Sequence, residues 1–107
     1  MNNEEVTTNV PMYADFACWL KDYHTGAEKA ISAKHLRAWG RGVEIRKIVN
    51  SLRNSGVPIC SDQNGYYYAA NQRELQHTIN NLRSRATEIT KAQEGLCKAL
   101  DDGTLTT

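Results

Sequence analysis

The chain has 107 residues, which allows one domain with one modest core. Its formal net charge of +1 names no partner by bulk electrostatics. Three widely spaced cysteines without a C-x-x-C pair argue against a zinc or redox centre, and no apolar run is long enough for a signal peptide or a membrane span.

Residues 1–10 are polar and aperiodic and read as a disordered arm. Pro11 opens the first expected helix. Phe16, Ala17, Trp19 and Leu20 recur at helical spacing up to Tyr23, and Gly26 is placed to close it. Lys29 to Ser32 reads as a brief extended segment. Ser32 then suits an N-cap for a short helix over Ala33 to Trp39, with Leu36 and either Trp39 or Ala38 turned inward. After the turn Gly40-Arg41-Gly42, a further helix is expected from Val43 to Asn54. Its stripe Ile45, Ile48, Val49 and Leu52 faces inward, and Lys47, Asn50 and Asn54 face outward, flanked by Arg46 and Ser51.

Val57 to Cys60 and Tyr66 to Ala69 are β-rich runs around Asn64-Gly65, a hairpin signal with a five-residue loop. Alternation puts Tyr66 and Tyr68 on one face, against the helices. Tyr67 is left on the other, against the last helix or facing a ligand. The pair Asn71 and Glu74 reads as a capping box, so a long helix starts at Gln72. Leu75, Ile79, Leu82, Ala86, Ile89, Gln93, Leu96 and Leu100 follow in steps of four and three. Either the first half of this helix packs and the rest frays, or the seam pairs with a second copy as a coiled coil. The register and the single polar seam residue, Gln93, favour a homodimer through Leu75, Ile79, Leu82, Ile89 and Leu96. The flanks hold Arg83, Arg85, Thr78 and Thr90 rather than opposite charges. Residues 101–107 read as a disordered tail.

The expected fold is therefore α+β and mostly α. Residues 11–70 form one domain of three helices and a hairpin, and residues 71–100 form the long C-terminal helix. His24, His35 and His77 fall on separate elements without metal-binding spacing, and no Gly-rich phosphate loop is present. No enzyme activity, cofactor or metal is expected. Cys18, Cys60 and Cys97 read as small buried hydrophobes in a reducing cytoplasm. The charge is unevenly placed. From Lys34 to Arg53, Lys34, Arg37, Arg41, Arg46, Lys47 and Arg53 stand against Glu44 alone, while the first thirty residues are net acidic.

The segment "ISAKHLRAWGRGVEIRKIVNSLRNSGVPICSDQNGYYYA" resembles the winged helix-turn-helix DNA-binding domain at the N-terminus of biotin-operon repressors. It is also similar to small phage and prophage winged-helix proteins with a long helix after the wing. The matching features are a Ser-capped helix containing Leu36, the run V-x-I-R-K-I-V-x-x-L-R, then Gly56-Val57-Pro58-Ile59, then Gly65-Tyr66. The turn Ala38 to Val43 departs from the pattern in being short, with two glycines.

That resemblance implies that helix 43–54 lies in the major groove of double-stranded DNA, presenting Arg46, Lys47 and Asn50 to base edges. Lys34, Arg41 and Arg53 would reach phosphates, with His35 beside them. The wing tip, Ser61 to Asn64 with Gln63 and Asn64 in it, would approach the backbone or minor groove, and Tyr67 would either contact the final helix or face DNA. Asp62 at the wing tip opposes phosphate contact. The implied function is that of a phage-type transcription regulator or replication accessory factor. The competing reading is a protein-interaction scaffold that acts through the long helix and does not bind DNA.

Overall fold

The computed structural model describes residues 3–103 and residue 105, with side chains described from residue 12 onward. The fold is α+β and mostly helical. Helix α1 (Asn3–Tyr23) is followed by three 3-10 turns (Ala27–Lys29, Ala33–His35, Arg37–Trp39) and helix α2 (Gly42–Asn54). Strands β1 (Ile59–Asp62) and β2 (Gly65–Tyr68) then precede helix α3 (Gln72–Asp101). The chain divides into two compact units, Met1–Gln76 and His77–Thr107. Among the described residues, no helix is long and apolar enough to cross a membrane.

The main core of the first unit is made by two helical stripes. Phe16 and Leu20 of α1, one turn apart, meet Ile45, Ile48, Val49 and Leu52 of α2, together with Leu36 and Ile59. Trp39 closes one side, its ring edge-on to Phe16 at a centroid distance of 5.3 Å. The inward set of α2 is the expected one, and the helix starts one residue earlier than expected.

Several expectations need correction. The backbone of residues 3–10 is helical rather than a disordered arm, so Pro11 lies inside α1 and not in its first turn. Asn3-Glu4-Glu5 carries the earlier start signal, an Asn followed by acids that suit the positive end of a helix dipole. Met1 and Asn2 of that arm lie outside the described residues, as do residues 104, 106 and 107 of the tail. Asp101 still belongs to α3, and a turn follows it.

Residues 33–39 do not form one short helix. Two 3-10 turns replace it, closed by Leu36 N–H to Ala33 C=O (3.0 Å) and Trp39 N–H to Leu36 C=O (2.9 Å). Leu36 is fully buried between the turns and fixes the break, while Trp39 is half-buried and Ala38 exposed. Ser32 does not cap either turn. Its hydroxyl pairs with His35 Nδ1 at 3.0 Å.

The hairpin is tighter than expected. β1 and β2 pair antiparallel from Ile59↔Tyr68 to Asp62↔Gly65, leaving only Gln63-Asn64 in the turn. The Asp62 carboxylate accepts the Asn64 N–H at 2.8 Å, the local bond that stabilises such turns. The chain before the second 3-10 turn lies along β2. Ile31 and Tyr66 exchange both backbone bonds at 2.9 Å, and Gly26 N–H donates to Tyr68 C=O at 2.8 Å. Gly65 (φ 132°) permits this contact, because a Cβ there would run into the Ile31 carbonyl.

The tyrosine alternation holds, but the outer face of the hairpin is not wet. Tyr66 and Tyr68 pack half-buried against the main core. Tyr67, opposite Cys60, is only 2 % exposed, and Cys60 is fully buried. Cys18 and Cys97, expected inside, are exposed.

Candidate nucleic-acid interface

The basic segment is assembled around the start of α2. Arg41 immediately precedes the helix, and its backbone N–H donates to Glu44 Oε1 at 2.8 Å. Its guanidinium also grips that carboxylate, Nε to Oε1 at 3.2 Å and Nη2 to Oε2 at 3.3 Å. These side-chain and backbone bonds from Arg41 hold the Glu44 carboxyl below the usual carboxylate range. The same pairing raises the Arg41 pKa. Gly40 lies against this pair with φ 136°, and a Cβ there would sit 2.9 Å from Glu44 Cβ. Glycine is what lets the 3-10 turn approach the first turn of α2 so closely.

The approach creates a concave surface of about 830 Å³, lined by Ala33, Lys34, Arg37, Gly40, Arg41, Gly42 and Glu44. Three cations and one acid surround it, and Lys34, Arg37 and Arg41 are all exposed. With three cations against one acid, the side chains of the concavity favour an anion. Arg37 contributed to the charge count but had no expected role. Lys34 and Arg37 stand three apart in sequence, in successive 3-10 turns, and both line the concavity.

The other expected contacts divide. Arg46, Lys47 and Asn50 are exposed on the outer face of α2, away from its buried stripe. His35 is exposed and does not line the concavity. Arg53 is not directed outward to a phosphate. Its Nε donates to Ile59 C=O at 2.8 Å and its Nη2 to Ser61 Oγ at 3.1 Å, so it ties the end of α2 to β1. Gln63 and Asn64 are exposed at the hairpin tip, whereas Tyr67 is buried and presents no surface to a ligand.

Along α3, Leu75 and Ile79 are half-buried. Leu82 is 37 % exposed, Ile89 69 % and Leu96 73 %, so the later seam positions are open in the single chain. Among the described residues, no three His, Cys, Asp or Glu side chains are grouped to hold a metal ion. Comparison with protein-family models, with curated proteins and with solved structures found no match to this chain.

Proposed function

We propose that this chain binds double-stranded DNA as a winged-helix protein of the phage-regulator or replication-accessory kind, acting in the cytoplasm. The order α1, paired 3-10 turns, α2 and hairpin supports a winged-helix reading in which the usual second helix is reduced to the two turns. The antiparallel Ile31–Tyr66 bridge ties the segment before the turns to the hairpin. The observation that carries the proposal is the grouping of Lys34, Arg37 and Arg41 around one concavity at the start of α2. That helix then offers Arg46, Lys47 and Asn50 to solvent.

In this reading the three cations of the concavity hold backbone phosphates and set the register of α2 on the duplex. Arg46 and Asn50 have the donor and acceptor patterns that pair with guanine and adenine edges. Gln63 and Asn64 at the wing tip add little affinity, because Asp62 stands beside them without a cation between. The test is binding to random-sequence duplex at low and moderate salt, for the natural chain and for Arg46→Ala/Lys47→Ala. Salt-sensitive binding that weakens in the double variant supports α2 as the DNA-facing element. No binding at low salt removes the proposal.

A second reading, a protein-interaction scaffold, is favoured by the exposed apolar positions Ile89, Leu96 and Leu100 of α3. It predicts no salt-dependent duplex binding and no effect of substitutions at Lys34, Arg37 or Arg41.

A further inference from the structure

From Leu82 onward every described residue of α3 is exposed except Ala99, which is half-buried. A lone amphipathic helix in that state leaves an apolar stripe in water, with Ile89 at 69 %, Leu96 at 73 % and Leu100 at 74 % exposure. The stripe repeats in steps of four and three, the spacing of a left-handed coiled-coil seam. Leu82, Ile89 and Leu96 take one seam position, called d. Ala86, Gln93 and Leu100 take the other, called a.

We infer that this seam takes a second copy of the same helix, parallel and in register, with the two Gln93 side chains facing each other. The charge pattern fits a second copy. Beyond Leu82, the flanking positions of the seam carry Arg83 and Arg85 and no acid. In the parallel register Arg85 lies beside Thr90 of the second copy, and Ala92 lies beside Cys97. No cation meets a cation, so self-pairing carries no like-charge penalty.

The area also fits. The stripe is roughly 30 Å long at 1.5 Å per residue, and a third of the circumference of each helix is covered on pairing. That removes on the order of 900 Å² from the two helices, just under the roughly 1,000 Å² a stable specific interface clears, the size of a weak, concentration-dependent dimer. So small an interface depends on every layer, and its one polar layer decides the orientation. In a parallel pair Gln93 meets Gln93, and each amide donates to and accepts from the other. In the antiparallel arrangement that overlaps all layers, Gln93 lies against Ile89 in its own layer, and the second Gln93 sits one layer away rather than opposite, so the amides pair less well. Orientation therefore follows from hydrogen bonding and not from the leucines.

The experiment uses the full chain and makes no use of DNA. Sedimentation should show a concentration-dependent dimer that becomes a monomer in Leu96→Asp. The substitution is at an exposed site, so helix content measured by circular dichroism serves as a check on folding. Orientation is read in a chain carrying Cys18→Ser and Cys97→Ser, with Leu96→Cys as reporter. Under mild oxidation the two reporters should form a disulfide in most of the dimer, because like d positions adjoin only in a parallel, in-register pair. A natural chain that stays monomeric at hundreds of micromolar, or a dimer that survives Leu96→Asp, overturns the second copy as occupant. A dimer whose Leu96→Cys reporters fail to cross-link overturns the parallel register.

Discussion

The carboxylate of Glu74 accepts the backbone N–H of Ala27 at 2.9 Å, across 47 residues of chain. Its other oxygen accepts the Ala70 N–H at 2.9 Å, and the Asn71 side chain accepts the Glu74 N–H at 2.9 Å. The expected capping box is thus half present. Asn71 plays its part, but Glu74 reaches past the cap residue to the segment that lies along β2. These bonds, the one from Ala27 foremost, hold the Glu74 carboxyl below the usual carboxylate range.

Removing that link should cost stability with a defined pH dependence. Glu74→Ala is expected to lower unfolding free energy by about 1 kcal/mol at neutral pH, as for a solvent-screened charged hydrogen bond. The native pKa is depressed, so the contribution is complete above the unfolded value. It disappears as pH falls through the lower native one. Urea unfolding of both proteins from pH 7 to pH 3 checks this. Their stabilities should converge on acidification.

Two glycines with positive φ should respond differently to alanine. Gly56 (φ 91°) has open space where a Cβ would go, so Gly56→Ala should cost about 1 kcal/mol from backbone strain alone. Gly65→Ala must also push the Ile31 carbonyl away and break the Ile31–Tyr66 bridge, and should cost about 2–3 kcal/mol. Thermal unfolding of the two variants, compared in one buffer, is the measurement. Equal losses would mean that the bridge contributes little.

Arg53 and Arg46 sit seven residues apart on one helix, yet their roles should separate. Arg53→Ala removes two bonds to β1 and should lower stability by about 1–2 kcal/mol while leaving the salt dependence of DNA binding unchanged. Arg46→Ala should do the reverse, since Arg46 is exposed on the outer face of α2. Paired stability and binding measurements on both variants test the assignment.

How far the sequence carried the fold depended on the kind of signal. The stripe of α2, the start of α3 at Gln72 and the hairpin are strong periodic or capping patterns, and they survive in the structure. What failed was what only tertiary contact decides. Leu36 had to reach the core between two turns, which split the expected short helix. Alternation left Tyr67 two settings, packed or facing a ligand, and only tertiary contact decided that it is buried. Arg53 found acceptors at Ile59 and Ser61 of β1, a cross-element contact that helix periodicity does not show. For the same reason the candidate site was half legible. The residues of α2 were visible in its periodicity, but the concavity that joins Arg37 to Lys34 and Arg41 depends on the close approach of Gly40 to Glu44, a tertiary contact.

Glu44 limits the candidate site, because it occupies the guanidinium of Arg41 and places a negative charge in the concavity. Glu44→Gln should raise affinity for duplex DNA roughly three- to tenfold at low salt. The gain should shrink as salt rises. Titrations by fluorescence anisotropy at two salt concentrations would show it. A loss of affinity would mean that the Arg41–Glu44 pair orients the site rather than competing with phosphate.

The most direct test of the account is the salt dependence of duplex binding for the natural chain and for Arg37→Gln, a substitution at an exposed position of the concavity. If Arg37 holds a phosphate, the slope of log affinity against log salt should fall in magnitude by about 0.9, with weakening that is uniform across sequences. An unchanged slope, or an absence of binding by the natural chain at low salt, would contradict the assignment of this face to DNA.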